Sequence, residues 1–111
     1  MIEKIILDYL STALTVPVKM EVPEDPPAEF CVIEKTGSDV SNYIKRATVT
    51  VQSYAASLYR AAELNEEVKA TMENLSALSE ISKASLNSDY NFTDTQTKKY
   101  RYQAVFDIYH F

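Results

Sequence analysis

The apolar residues of this chain recur in two rhythms. In "IEKIILDYLSTAL", residues 2–14, Ile2, Ile5, Ile6, Tyr9, Leu10, Ala13 and Leu14 fall on one stripe at helical spacing. The pattern predicts an amphipathic helix, with Glu3 in its first turn suiting the helix dipole and Pro17 stopping it. The same period returns in "SLYRAAELNEEVKATMENL", residues 57–75. There Leu58, Ala61, Ala62, Val68, Met72 and Leu75 share a face, and the glutamates fall mostly outside it.

Elsewhere the period is two, the signature of a strand. "VKMEV" (18–22) is a short extended segment. "FCVIEKTG" (30–37) is a strand whose opening apolar run predicts burial on both faces, and "TGSD" supplies a turn around Gly37. In "YIKRATVTVQSY" (43–54), Ala47, Val49 and Val51 alternate with Thr48, Thr50 and Gln52, so a half-buried antiparallel partner is expected. "ISKASLNSDYNF" (81–92) reads as a strand with Ala84, Leu86, Tyr90 and Phe92 on one side. "TDTQT" (93–97) is a turn, and "KKYRYQAVFDIYHF" (98–111) is the closing strand. The order α-β-β-β-α-β-β predicts an α+β two-layer sandwich, a mainly antiparallel sheet with both helices on one face. Residues 1–111 read as a single domain.

Two stretches depart from this regularity. "EVPEDPPAEF" packs Pro23, Pro26 and Pro27 in front of a strand. Each ring fixes φ and extends the residue before it, so the segment is a strut that delivers Phe30 to a set place. The closing strand is the second departure. Fourteen extended residues reach roughly 46 Å at about 3.3 Å each. A compact domain of this size is only about 35 Å wide. Either the sheet coils strongly or its last hairpin overhangs the core and is completed by a neighbouring copy. On the face that should be polar, Val105, Tyr109 and Phe111 stand beside Arg101, Gln103 and Asp107. Aromatic residues there mark a subunit interface.

Charge refines the picture. The net charge is −5, of which residues 1–29 carry −4. An acidic face argues against a nucleic-acid grip, which needs a basic stripe. It suits a surface that DNA passes without sticking. Glu21, Glu24 and Asp25 are the candidates for such a channel-facing acidic set. A single glycine, Gly37, excludes a Walker loop and a dinucleotide fingerprint, both of which need several. No apolar run approaches the roughly 20 residues of a membrane span, and Glu3 and Asp8 interrupt the first apolar pattern. Residence in the cytosol is the expectation, with no membrane partner.

Catalytic chemistry finds little footing. His110 is the only histidine, and Cys31 is alone inside an apolar strand, where a buried inert thiol is expected. "DYNFTD" lacks the glycine and distal glutamate of a calcium loop. "EDPPAE" reads as a solvated acidic loop, and "KKYRY" as a strand start with solvated lysines. No catalytic residue, metal site or cofactor is expected, and the chain reads as a binding or structural protein.

The combination of the first helix, "VPEDPPAEFCVIEKTG", "SLYRAAELNEEVKATM" and the hairpin "NSDYNFTDTQTKKYRYQAVFDI" with its aromatic end "YRYQAVFDIYHF" resembles the small tail terminator (tail completion) proteins of long-tailed phages. The resemblance covers nearly the whole chain and rests on overall pattern, since no catalytic motif defines such proteins. It implies a ring, usually of six copies, that caps the tail tube, halts its polymerisation and meets the head's connector. The implied partners are other copies of the chain, the tube protein and the connector. Assembly would take place in the host cytoplasm, and the product would reside in the virion tail. Two other readings stay open: another head–tail joining or tube component, and a small α+β ligand-binding or regulatory domain unrelated to phages.

Overall fold

The computed structural model describes residues 1–111. The first apolar stripe forms helix α1, Ile2–Ala13, which turns Ile2, Ile6 and Leu10 into the core. Leu14 takes an extended conformation, and its N–H still bonds Leu10 O. The second helix, α2, Leu58–Met72, begins at Ser57, whose side chain accepts a hydrogen bond from Arg60 N at 3.1 Å. This is the capping that a serine provides at an exposed N-terminus. A 3₁₀ turn at Leu75–Ala77 follows.

The strands are β1 (Val18–Lys19), β2 (Phe30–Ser41), β3 (Ile44–Ala55), β4 (Ile81–Asn91) and β5 (Tyr100–His110). They form one sheet in the order β1-β2-β3-β5-β4. Only the short β1–β2 pairing is parallel. The two-layer α+β architecture and the element order therefore agree with the reading of the sequence. Both helices pack on one face of the sheet. There Ile6, Leu10, Leu64, Val68 and Met72 meet Cys31, Ile33, Val49, Val51, Phe106 and Ile108 in one apolar cluster. Burying each such side chain stabilises the fold by about 1.5–3 kcal/mol. The opening of β2 is buried on both faces as expected: Cys31 and Ile33 face the helices, while Phe30 and Val32 join Tyr54 on the other side.

Three expectations are corrected. The first concerns the turn. Gly37 does not make it; it lies within β2 just after a bulge that leaves Thr36 unpaired. The chain reverses at Asn42 and Tyr43, both with left-handed backbone (φ 51° and 65°). The hairpin is thus four residues longer on its first strand than the turn chemistry of "TGSD" implies. The second concerns β4. A bulge between Leu86 and Ser88 shifts the register by one residue, which moves every later side chain to the other face. Ala84 and Leu86 face α2, whereas Tyr90 reaches Gln103 on the open face.

The third correction concerns the closing strand. β5 has 11 residues and lies inside the sheet, paired with β3 on one side and β4 on the other. Its backbone has no free edge to offer a neighbour. The excess length belongs to the whole sheet, since the molecule measures 43 × 25 × 24 Å. At the far end of the β2–β3 hairpin residues 34–46 are exposed throughout, with the start of α1 beside them through Glu3 and Lys35.

Candidate interaction surfaces

The β2–β3 hairpin has two ends, and the two are finished differently. At the strut end, Phe30 and Tyr54 stack with ring centroids 4.5 Å apart and planes 6° from parallel. The Arg101 guanidinium lies 4.4 Å from the Phe92 ring and 5.7 Å from the Tyr54 ring. Its Nε donates to Phe92 O at 2.7 Å. The strut itself is tied down where it enters β2. Glu29 accepts from Arg60 Nε at 2.7 Å, which fastens the strut to the first turn of α2. Arg60 also approaches Glu67 at 3.4 Å, and its pKa is raised, first by Glu29.

The sheet face away from the helices carries a directed chain of hydrogen bonds. Arg101 Nη1 donates to Tyr54 Oη (2.9 Å), and Tyr54 Oη donates to Gln52 Oε1 (3.2 Å). Gln52 Nε2 donates to Gln103 Oε1 (2.8 Å), and Gln103 Nε2 donates to Tyr90 Oη (2.6 Å). Further along, Thr48 and Asn87 both donate to Asp107. Thr50 and Gln103 are buried among these neighbours. The open face therefore satisfies its own polar groups, and each bond adds about 0.5–1.5 kcal/mol net.

The tip end differs. Val40 is 68 % exposed, Tyr43 98 % and Phe111 72 %, and Ile44 is also exposed. Arg46 pairs with Asp39 at 3.1 Å, and that pair is open to solvent; Lys35, further from the turn, pairs with Glu3 at 3.8 Å. Arg46 has a raised pKa, first because of the Tyr109 hydroxyl beside it and then because of the Asp39 carboxylate. Tyr43 is the anomaly. A left-handed backbone costs a side-chain-bearing residue about 1–2 kcal/mol, and hairpin turns of this kind are normally built on Asn-Gly. Here the second position holds a bulky aromatic whose ring touches solvent almost everywhere.

The interface candidates separate on this map. Tyr109 lies beside Arg46 and lines the hollow under the tip with Val40 and Ile44. Phe111 ends the chain at the same end of the sheet, its N–H bonding Glu80 O. Val105 sits mid-sheet, opposite Thr50 and Ser88, and is half-buried. Glu21, Glu24 and Asp25 are exposed in the loop that contains the strut, at the other end of the hairpin. Beside that loop, Val22, Pro26 and Pro27 border an apolar hollow of about 210 Å³ with Phe30, Tyr54 and Tyr100, and Lys98 and Lys99 stand at it. Sequence reasoning missed Val40, Tyr43 and Ile44. Their signal, "VSNYI", was hidden by the assignment of the turn to Gly37.

The other polar and titratable groups lie as follows. Cys31 is fully buried, with Sγ 3.8 Å from Ser53 Oγ, and burial pushes its thiol up to about 12. On α2, Asn65 is buried and donates to Asp89 at 2.9 Å, while Lys69 donates to the same carboxylate oxygen at 3.0 Å. These two bonds hold β4 against the helix after its bulge. Asp94 accepts from Gln96 N and Thr97 N and shapes the β4–β5 turn; its pKa is lowered, first by Thr97. No group of three or more His, Cys, Asp and Glu side chains is arranged to hold a metal ion. No helix is long and apolar enough to cross a membrane. No protein-family model matches the chain, and a search of curated proteins finds no match.

Proposed function

We propose that this chain is a structural subunit of a long-tailed phage or prophage tail, one that closes into a ring of six, caps the tail tube, ends its polymerisation and joins it to the head connector. The observation that carries this reading is the polarity of the subunit. Its two ends, separated by the length of a twelve-residue hairpin, are shaped differently: one exposes Val40 and Tyr43 at a turn, the other has an apolar hollow beside a prolyl strut whose loop carries Glu21, Glu24 and Asp25. A ring needs two different complementary patches on each copy, since only a heterologous contact repeats around a closed cycle. A rigid, internally satisfied sheet between the patches keeps their relative angle fixed, which is what closure at a defined number of copies requires. DNA would pass such a ring without specific contacts, because the chain offers no basic stripe.

The test is functional and needs the full chain. Added to the tube protein encoded beside it, the chain should stop tubes from elongating and should be found at one end of each tube in a stoichiometry of six. Tubes that elongate unchanged in its presence would refute the reading.

A further inference from the structure

We infer that the tip of one subunit docks into the hollow beside the prolyl strut of the next, with Tyr43 as the plug and the Pro26–Phe30–Tyr54 hollow as the socket. This rests on the ring reading and specifies its contact. The plug is Tyr43, strained at φ 65° and 98 % exposed, between Val40 and Ile44. A strained aromatic at an exposed hairpin apex gains nothing within its own subunit, so its side chain is to be explained by another molecule. Aromatic side chains dominate the energetic centres of interfaces because they bury much area at small entropic loss.

The occupant of the hollow is a second copy for three reasons. The hollow is apolar and, at about 210 Å³, smaller than the roughly 300 Å³ at which small-molecule sites begin; one aromatic side chain suits it better than a cofactor. Its walls are stiff: Pro26 and Pro27 are fixed in φ, and Phe30 and Tyr54 are locked by stacking, so little ordering entropy is lost on docking. Charge is complementary around the hollow and not within it, where the charged lining is Lys98 and Lys99. The tip segment 38–46 carries Lys45 and Arg46 against Asp39, while the strut loop carries Glu21, Glu24 and Asp25 with no ion pair of their own. Lys98 and Lys99 stand where they can donate to the Tyr43 hydroxyl of the incoming tip. Socket and plug lie at opposite ends of the β2–β3 hairpin, so each copy can fill one neighbour and receive the other. In this arrangement the three carboxylates face a neighbouring subunit and not a DNA channel.

The experiment uses the full chain throughout. A Tyr43→Cys copy is mixed with a differently tagged Ala28→Cys copy under mild oxidation, Ala28 being exposed on the hollow and the native Cys31 being buried. A disulfide joining the two tags is expected. In parallel, Tyr43→Gly, which relieves the backbone, should keep its circular dichroism spectrum, melt no lower than the parent, and lose self-association by at least tenfold. Lys45→Glu should weaken association similarly, and adding Glu24→Lys should restore it. Association within twofold of the parent in Tyr43→Gly, with no disulfide between the tags, overturns this contact and leaves the ring standing. A parent chain that stays monomeric at every concentration and with the tube protein overturns the ring, and the contact with it.

Discussion

The two ends of the β2–β3 hairpin are made by the same pair of strands, yet one is closed by its own subunit and the other is left open. At the strut end Phe30, Tyr54 and Phe92 have internal partners: Phe30 stacks on Tyr54, and Tyr54 and Phe92 share Arg101, while Tyr59 nearby stays exposed. At the tip, Val40, Tyr43 and Ile44 have water. The difference teaches that strand pairing alone does not finish a surface. Packing does, and at the tip this subunit leaves Val40 and Tyr43 without it.

Stability measurements can break or sharpen this contrast. The largest effect is expected at the strut end, where Phe30→Ala or Tyr54→Ala removes a buried aromatic and should lower unfolding stability in urea by about 3–5 kcal/mol. Val40→Ala at the tip should stay within about 0.5 kcal/mol. Comparable losses at both ends would mean that the tip is packed in the monomer. Next comes the open face. Gln103→Leu strands the amide of Gln52 and the hydroxyl of Tyr90, and should cost about 1–3 kcal/mol. A smaller loss would show that solvent replaces the network and that this face, too, is unfinished.

Tyr43→Gly should have the opposite sign. Releasing the left-handed strain offsets the greater freedom of glycine in the unfolded chain and leaves a gain of up to about 1 kcal/mol, read as a higher midpoint in urea. A loss would show that Tyr43 is held by its own subunit. The smallest effect at neutral pH concerns Cys31. Its folded pKa is raised from about 9 to about 12, so the neutral thiol contributes fully below pH 9. That contribution declines as pH rises from about 9 through 12, because the unfolded chain loses its proton first. Cys31→Ser should flatten the alkaline limb, and the native thiol should resist a disulfide reagent at pH 8 until the protein unfolds.

Much of this architecture was legible in the residues. The stripe Ile2, Ile6, Leu10 and the alternation of Ala47, Val49, Val51 each have one period and one consequence, and both fell on the helix-covered side. The run from Phe30 to Ile33 announced burial on both faces. What was not legible depended on single residues that break a period. Gly37 looked like the turn because it is the only glycine, but the reversal went to Asn42, which suits a left-handed backbone, and Tyr43, which does not. The bulge before Ser88 turned Tyr90 away from Leu86, and a face assignment made by counting in twos cannot survive an inserted residue. Sheet order was hidden for a different reason. β5 pairs with β3 across more than forty residues, so whether the last strand is an edge or a centre is decided by long-range packing that adjacent residues do not record. The aromatic end of the closing strand was expected to meet a neighbouring copy; the structure adds other exposed apolar residues at that end of the sheet. Tyr109 and Phe111 lie at that end, and the hairpin beside them adds the exposed Val40, Tyr43 and Ile44.

The most direct measurement is native mass spectrometry of the full chain, alone and with its tube protein, on the parent and on Tyr43→Gly side by side. The expected result is a six-copy species for the parent and its absence for the variant, with both chains equally folded. A parent that remains a single subunit under every condition would contradict the claim that this molecule is built to be completed by its own copies.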